Sequence, residues 1–399
     1  MSAPGQRLVN SIDLNLRQTT KHVRSSRVRI TFVLPVVSMS GGNKVIAMYA
    51  RQLMRMSHTV TLVSPPPKNT PVSQKLRSWV KGRGWPVDAK RPQSHLEGSG
   101  LDHRLLDRWR PIDDDDVPDS DIVIATWWET AEWVNALSAR KGAKVYFIQG
   151  HEVFPHLPIV RCRATYRLPL HKIVVSGWLK EVMKLEYGDE HVDLVPNSVD
   201  KEQFYSPPRL KQAVPTVGFL YSGVSIKGLD ITLAALKIVR QWRPELCLIS
   251  FGGIEPIAEL PLLDGTEFHH LPKQEEIRNL YCSCDVWATG SRTEGFNLSA
   301  IEAMACRTPV VSTRTGWPAE AITSGWNGFL VEIDDVEAIA IAIDSVLSKS
   351  NEDWVTMSTN AYATVAESSW NASAVKFEKA LRHACQRAKR GEISGKCEC

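Results

Sequence analysis

The sequence has no apolar run approaching the roughly 18 residues that a membrane-spanning helix needs. It also has little net charge, +4 over 399 residues, so its composition gives no indication of nucleic-acid binding. Residues 1–26 are polar and basic and lack the apolar core of a secretory signal. These absences predict a cytoplasmic protein with no nucleic-acid partner.

Cysteine is sparse, with eight among 399 residues, and forms no disulfide framework of the kind found in small secreted domains. The close pairs Cys282/Cys284 and Cys397/Cys399 are each separated by one residue, which is not common zinc spacing. We therefore predict reduced thiols that are buried or incidental.

A metal site of the Asp-x-Asp kind is also not indicated. The acidic run at 113–116 precedes a predicted strand rather than following one, and it leads into Val117-Pro118-Asp119, which is typical of a solvated turn. The G-x-G-x-x-G spacing of a nicotinamide site is missing as well. The chain is expected to need neither a metal nor a cofactor.

What the sequence does contain is a regular alternation of strands and helices. A β-branched strand at 27–34, an amphipathic helix at 44–56 and a strand at 59–63 form a β–α–β opening, typical of a doubly wound sheet. Further strands are predicted at 122–126, 144–149, 172–176 and 191–195, and in a second series at 216–221, 246–251, 268–271, 285–288, 308–312 and 328–331.

The two series predict an α/β protein with two Rossmann-like domains facing each other across a cleft. The expected division is a flexible leader at 1–26, a first domain at 27–204, a second domain at 205–369, a helix at 370–390 that returns to the first domain, and a tail at 391–399. Because ligands of such sheets bind beyond the carboxyl ends of the strands, the cleft is the expected binding site.

Residues 74–110 interrupt the alternation with a basic segment that contains Trp79, Trp85 and Trp109. Such an insert can rest on an anionic membrane surface, where tryptophan favours the headgroup layer. It can equally be a solvated loop that covers the edge of its own sheet. The sequence leaves both interpretations open.

The most informative stretch runs from Ser291 to Ala305 and places Glu294 in a turn and Glu302 in the helix that follows. Free backbone N–H groups at a helix N-terminus suit a diphosphate. Two carboxylates beside a phosphate site would repel it unless they bind neutral hydroxyls, such as those of a sugar and a ribose. The alternative is one helix cap and one exposed helical glutamate.

This stretch resembles the E-x7-E motif of the large retaining glycosyltransferase family 4, also called glycosyl transferases group 1, whose fold is named GT-B. The resemblance extends over about 150 residues in sequence order. It takes in residues 195–200, Phe204, Lys227-Gly228, Asp285, residues 308–312, Gly316, Glu320 and residues 325–331.

The resemblance implies roles for the donor half. Glu302 would hold the ribose hydroxyls, and Glu294 would contact the transferred sugar and stabilise charge on its reacting face. The diphosphate would be held by Lys227 and by the turn and its N–H groups at Gly295, Phe296, Asn297 and Leu298. The family commonly has an arginine five residues before the lysine, where this chain has Ser222, so Tyr221 or another basic group would have to substitute, or the phosphate would be held less tightly.

In the first half, Ser40-Gly41-Gly42-Asn43 resembles the glycine-rich loop of the family, although Gly41 and Gly42 taken alone also suit an ordinary turn. His151 follows the strand at 144–149, where the family often has a histidine that reaches the transferred sugar. A structural histidine is the alternative, and Glu152 is the neighbouring candidate. The stretches 147–152 and 40–43 resemble bacterial enzymes that build surface polysaccharides, including rhamnosyltransferases.

The resemblance thus implies a metal-independent retaining glycosyltransferase that moves a sugar from a nucleotide-diphosphate donor to a glycan or lipid-linked acceptor. An oxocarbenium-like transition state is expected, as in glycosidic chemistry generally. In the family the departing diphosphate helps to deprotonate the acceptor, so the resemblance does not assign Glu294 as a nucleophile. Three alternatives remain: a nucleotide-sugar epimerase or phosphorylase on the same fold, a catalytically silent scaffold, and a nucleic-acid binder using residues 74–110.

Overall fold

The computed structural model describes residues 27–68 and 93–397, and these form two parallel β-sheets with helices packed around them. The first sheet has seven strands in the order β3-β2-β1-β4-β5-β6-β7. Its strands are β1 (Arg29–Val33), β2 (Thr59–Ser64), β3 (Asp102–Leu105), β4 (Ile122–Ala125), β5 (Ala143–Ile148), β6 (His171–Val174) and β7 (Val192–Leu194). The central strands β4 and β5 are buried along their whole length because helices cover both faces of a parallel sheet.

The second sheet has six strands in the order β10-β9-β8-β11-β12-β13, again all parallel. Its strands are β8 (Thr216–Tyr221), β9 (Cys247–Gly252), β10 (Glu267–His270), β11 (Val286–Thr289), β12 (Val310–Thr313) and β13 (Gly328–Val331). In both sheets the strand order reverses beside the first strand of the series, and such a switch point opens a crevice at the carboxyl ends of the strands.

The helices of the first half are α1 (Gly41–Arg55), α2 (Trp128–Ala136), α3 (Ile159–Thr165) and α4 (Gly177–Tyr187). Those that follow β8 are α5 (Leu229–Trp242), α6 (Gln274–Cys282), α7 (Leu298–Ala305), α8 (Pro318–Ala321), α9 (Val336–Leu347), α10 (Asn351–Val365) and α11 (Trp370–Lys389). In the ranges that the structure describes, no helix is both long and apolar enough to cross a bilayer.

The last helix, α11, packs against the first sheet. The Phe377 ring stacks on Tyr49 of α1 with centroids 4.4 Å apart and meets Phe147 of β5 edge-on at 5.0 Å. Ser373 of α11 also donates a hydrogen bond to the carbonyl of Pro196, 2.9 Å away. The hydrophobic core of the first half is therefore completed by a helix that follows the whole second half in sequence.

Two expectations from the sequence need correction. The segment 74–110 does not interrupt the sheet throughout, because Asp102–Leu105 form the edge strand β3, paired in parallel with β2. Cys385 and Cys397 form a disulfide between α11 and the residues after it, so these two cysteines are not the reduced thiols that we predicted. The sequence reasoning missed this bond because the two residues are brought together only by the turn that follows α11.

Some predictions fall on parts of the chain that are not described. The leader at 1–26 and Cys399 lie outside the described residues, as do residues 74–92 of the basic insert with Trp79 and Trp85. Contact of that insert with a membrane stays a prediction.

Candidate active site

A cavity of about 500 Å³ opens between the carboxyl ends of the two sheets. The first half supplies the loop after β1 and the loop after β5, and the second half supplies the turn that leads into α7. The wall includes Ser40, Gly41, Gly42, Asn43, Gln149, Gly150, His151, Glu152, Lys227, Ser291, Glu294, Gly295, Phe296, Asn297, Leu298 and Ser299. Nine of the eleven residues that the sequence reasoning proposed for the site therefore meet at one cavity, while Ser222 and Glu302 do not line it.

The N-terminus of α7 forms one wall of this cavity. Asn297 is the N-cap with φ of 80°, a left-handed conformation that asparagine tolerates better than most residues, and its side chain accepts a hydrogen bond from the Ala300 N–H. Ser299 Oγ donates to the same Asn297 oxygen at 2.9 Å. This arrangement points the remaining N–H groups of the first turn and the positive end of the helix dipole at the cavity, which suits an anion.

Glu294 and Lys227 form a partly buried ion pair beside that helix end. Lys227 Nζ lies 2.7 and 2.9 Å from the two carboxylate oxygens of Glu294, and Ser291 Oγ donates to the same carboxylate at 2.8 Å. Glu294 is almost fully buried, while about a third of the Lys227 side chain is exposed. Because an ammonium group has three hydrogens, one remains free for an oxygen of a bound phosphate.

Glu302 lies just outside the cavity and bridges the two halves of the molecule. Its Oε1 lies 2.7 Å from Nζ of Lys44 on α1, and its Oε2 accepts a hydrogen bond from Tyr281 OH at 3.0 Å. Lys44 also stands 4.8 Å above the Phe204 ring. Sequence reasoning missed Lys44, since nothing in the sequence connects two residues 258 positions apart.

Further contacts across the cleft hold the halves together around the cavity. Ser176 Oγ donates to the Gly295 carbonyl at 2.7 Å. The Glu320 carboxylate accepts the backbone N–H groups of Gly177 and Trp178, at 2.7 and 3.2 Å, at the start of α4. A carboxylate at a helix N-terminus is favoured by the helix dipole, so this contact stabilises the packing of the two halves against each other.

Of the three glycines predicted for the site, Gly295 is the one whose backbone lies tightly against the other half. A Cβ added to Gly41 or Gly42 would have its nearest neighbour at 3.5 Å, which is ordinary van der Waals contact. A Cβ at Gly295 would lie 1.7 Å from the carbonyl oxygen of Gln149. The first two glycines line the cavity, but the space there would accept a methyl group, whereas Gly295 must be a glycine.

His151 lines the cavity with its ring held by a tyrosine. Its Nε2 lies 2.6 Å from Tyr187 OH, and its ring packs against Tyr166 with centroids 5.4 Å apart. Burial lowers the pKa of His151 below its usual value, so the imidazole is favoured in its neutral form. A neutral, oriented imidazole can accept or donate one hydrogen bond to a sugar hydroxyl.

Glu152 also lines the cavity, but its carboxylate is used in hydrogen bonds within the first half of the protein. Its carboxylate accepts a hydrogen bond from the Trp128 N–H, the first residue of α2, at 2.8 Å and from Tyr146 OH at 3.3 Å. Burial raises the pKa of Glu152 well above 4.5, which favours the protonated acid. Glu152 therefore fixes the start of α2 rather than supplying a charge.

Replacing Glu152 by glutamine tests this protonation state. Because the pKa of Glu152 is higher in the folded state, the contribution of this residue to stability is fully present below the unfolded-state pKa near 4.5. That contribution is lost as the pH rises from there toward the folded-state pKa. The wild type is expected to lose about 1.4 kcal/mol relative to Glu152→Gln for each pH unit in that interval. Urea unfolding of both proteins between pH 4 and 8 measures the difference, and a difference independent of pH would contradict the assignment.

Ser222 stands where the family commonly has an arginine, and no described residue of the cavity wall replaces that arginine. Ser222 Oγ accepts the Val224 N–H, and Tyr221 OH bonds to the backbone of Leu260 and Ile257, both 2.8 Å away. Among the described wall residues Lys227 is the only lysine or arginine. A diphosphate bound here would thus be held by one cation and by the N-terminus of α7.

Two clusters among the described residues, one of potential metal ligands and one in the acidic run, lie away from the cavity wall. His171, Asp193 and His383 cluster where α11 crosses β6 and β7, with the Asp193 carboxylate 2.9 Å from each imidazole. In the acidic run, Asp113 and Asp116 pair with Arg110. Neither group faces the residues proposed for catalysis, so the absence of a metal requirement stays a prediction.

Comparison with known proteins follows the two halves of the chain. Residues 39–203 match the family model Glycosyltransferase Family 4, and residues 212–349 match the model Glycosyl transferases group 1. The D-inositol 3-phosphate glycosyltransferase of Arthrobacter sp. (strain FB24) is 32% identical over 162 residues, covering 36% of this chain and 38% of that protein. The GDP-mannose-dependent alpha-(1-6)-phosphatidylinositol monomannoside mannosyltransferase of Mycolicibacterium smegmatis is 28% identical over 242 residues, covering 53% of this chain and 63% of that protein. The matches therefore span only part of the length of these relatives.

Solved structures match nearly the whole chain. Sucrose-phosphate synthase from Thermosynechococcus elongatus gives a TM-score of 0.65 at 18% identity, covering 90% of this chain and 99% of that one. Anabaena HepE in complex with UDP and glucose gives 0.65 at 17% identity, covering 90% and 100%. At such identities the likeness shows the fold, and the predicted α/β class with two Rossmann-like domains of the GT-B type is confirmed.

Proposed function

We infer that this chain, whose two halves match glycosyltransferase family models, transfers a sugar from a nucleotide-diphosphate donor to a glycan or lipid-linked acceptor. The observation that carries the proposal is the cavity between the sheets. On its second-half wall Lys227, Glu294 and the N-terminus of α7 lie together, and on its first-half wall lie His151 and the loop after β1. One wall suits a diphosphate and its sugar, and the other leaves room for an acceptor.

The chemistry assigns a separate task to each group. The N-terminus of α7 and the free hydrogen of Lys227 would stabilise the charge that builds on the departing diphosphate. The Glu294 carboxylate, fixed by Ser291 and Lys227, would face the sugar carbon as it takes on oxocarbenium character. No second carboxylate of the wall is placed as a nucleophile, since Glu152 is bonded to the start of α2. We propose transfer with retention because the family resemblance implies it, with the diphosphate accepting the proton of the acceptor on the face that it leaves.

The role of Glu302 requires its bridge to Lys44 to be shared or exchanged. Each carboxylate oxygen accepts one hydrogen bond and keeps a second lone pair, so ribose hydroxyls would either share Glu302 with Lys44 and Tyr281 or replace one of them. We propose that donor binding makes this exchange. Two relatives are named for transfer to inositol 3-phosphate and to phosphatidylinositol monomannoside, which supports an acceptor that belongs to glycoconjugate synthesis. Surface polysaccharide synthesis is the pathway that the sequence resemblance suggests.

A thermal-shift panel of UDP, GDP, dTDP and ADP tests the donor site. A nucleotide at about 100 times its dissociation constant should stabilise the wild type by roughly 2.7 kcal/mol. Glu302→Ala should lose most of this increment. The increment of the variant is measured against its own unliganded stability, because removing Glu302 leaves Lys44 without its ion-pair partner and by itself weakens the fold.

The exposed Glu245→Ala serves as the matched control and should keep the full increment. The wild type is then incubated with an acceptor and the nucleotide sugar of the base that binds. A new glycosidic bond in the NMR spectrum would distinguish transfer from epimerisation, and its anomeric coupling constant would show whether the configuration of the donor sugar is retained. If no nucleotide stabilises the wild type, the proposed function is wrong and a silent scaffold becomes the better explanation.

A further inference from the structure

A second groove adjoins the central cavity on the first half of the molecule. It has a volume of about 540 Å³ and shares Pro35, Ser40, Asn43 and Trp127 with the wall of the central cavity. Its remaining wall residues are Val36, Ser38, Pro67, Lys68, Trp109, Glu129 and Trp133. The groove thus continues the cavity on the first half, away from α7.

Tryptophan dominates this groove. Trp127 and Trp109 are partly exposed, and Trp133 of α2 is 8% exposed. Lys68 Nζ stands 3.7 Å from the centre of the Trp109 ring, and Glu129 supplies an acidic group from the first turn of α2. Flat indole faces combined with charged and hydroxyl groups suit a ligand that is apolar on its faces and polar at its edges.

A pyranose ring has this character, since its C–H groups form an apolar face and its hydroxyls lie around the edge. An acyl chain does not, because it offers no hydrogen-bonding group to the Lys68 and Glu129 side chains that flank the groove. The composition of the groove therefore favours a sugar over a lipid tail.

We propose that this groove binds a sugar unit of the acceptor, next to the unit that receives the new bond in the central cavity. The acceptor would then be a saccharide of at least two units, with Trp127 at the junction and Trp109 and Trp133 around the second unit. This inference rests on the proposed function and specifies the acceptor class of the same site.

Labelled mono-, di- and trisaccharides of the common hexoses test the inference by fluorescence polarisation, with the active nucleotide diphosphate at saturation. The wild type should bind at least one disaccharide about tenfold more tightly than its component monosaccharide, a difference of roughly 1.4 kcal/mol. Trp109→Ala should abolish this advantage, and Trp109→Phe should retain most of it. Trp242→Ala, at a half-exposed tryptophan of α5 in the second half, is the matched control and should bind as the wild type does.

The outcomes separate this inference from the proposed function. Three results would contradict the sugar-binding role of the groove without affecting the donor site. They are equal affinity for mono- and disaccharides, unchanged affinity in Trp109→Ala, and no saccharide binding by a wild type that binds nucleotide. Failure of every nucleotide to bind would instead remove the proposed function itself.

Discussion

Replacing Gly295 by alanine is expected to lower the rate of sugar transfer about 100-fold, the cost of displacing reacting groups by roughly an ångström. The new Cβ would lie 1.7 Å from the Gln149 carbonyl oxygen and 2.6 Å from its carbon, so the backbone of one half must move away from the other. The turn that bears Glu294 and the loop that bears His151 would separate. Because the clash lies between the halves, each sheet should keep its own packing.

Turnover of the donor identified by the nucleotide panel measures the effect, and small-angle scattering of the same protein should show a more open molecule. Gly253→Ala is the matched control, because a Cβ there would meet nothing nearer than 4.0 Å. If Gly295→Ala transfers sugar at the rate of the control, the close approach seen here does not belong to the active conformation.

Replacing Glu294 by glutamine is expected to reduce kcat on the order of 100- to 1000-fold, similar to the loss of other preorganised groups that stabilise transition-state charge. Glutamine keeps the shape and the hydrogen bond from Ser291 but removes the negative charge beside the reacting carbon. It also releases Lys227 from its ion pair, so that more of the ammonium group becomes available to a phosphate. Affinity for the nucleotide diphosphate should therefore be kept or increase while transfer falls.

Calorimetric titration with the nucleotide and steady-state kinetics separate these two effects, and Glu245→Gln supplies an exposed glutamate as control. A variant that loses nucleotide affinity and kcat in parallel would show that Glu294 acts in binding the donor rather than in stabilising the transition state. A variant with the full rate would remove Glu294 from the mechanism.

Most of the fold could be predicted because each strand carries its own signal. Short apolar runs predict β8 and β13 with their observed bounds, and the helix predicted at 370–390 matches α11 to within one residue. The edge strand Asp102–Leu105 was missed because three of its four residues are exposed and its side chains are mostly polar. An edge strand has one neighbour and little burial, so its sequence resembles a loop.

The candidate site was predictable only as far as local motifs extend. The turn and helix around Glu294 are contiguous in sequence, and the structure places them at the cavity. The bridge from Lys44 to Glu302 and the contact of Glu320 with Gly177 join positions far apart in the chain. Such pairs depend on how the two halves face each other, which no single segment encodes.

The packing of α11 on the first sheet has a consequence for synthesis on the ribosome. A nascent chain that ends at Val365 already holds every strand of both sheets, yet Tyr49 and Phe147 still lack the Phe377 ring that covers them. Residues 216–365 form a contiguous unit that can fold as it emerges. We therefore expect the first half, although made earlier, to reach its final packing last, with its apolar surface open to chaperones until α11 has left the exit tunnel.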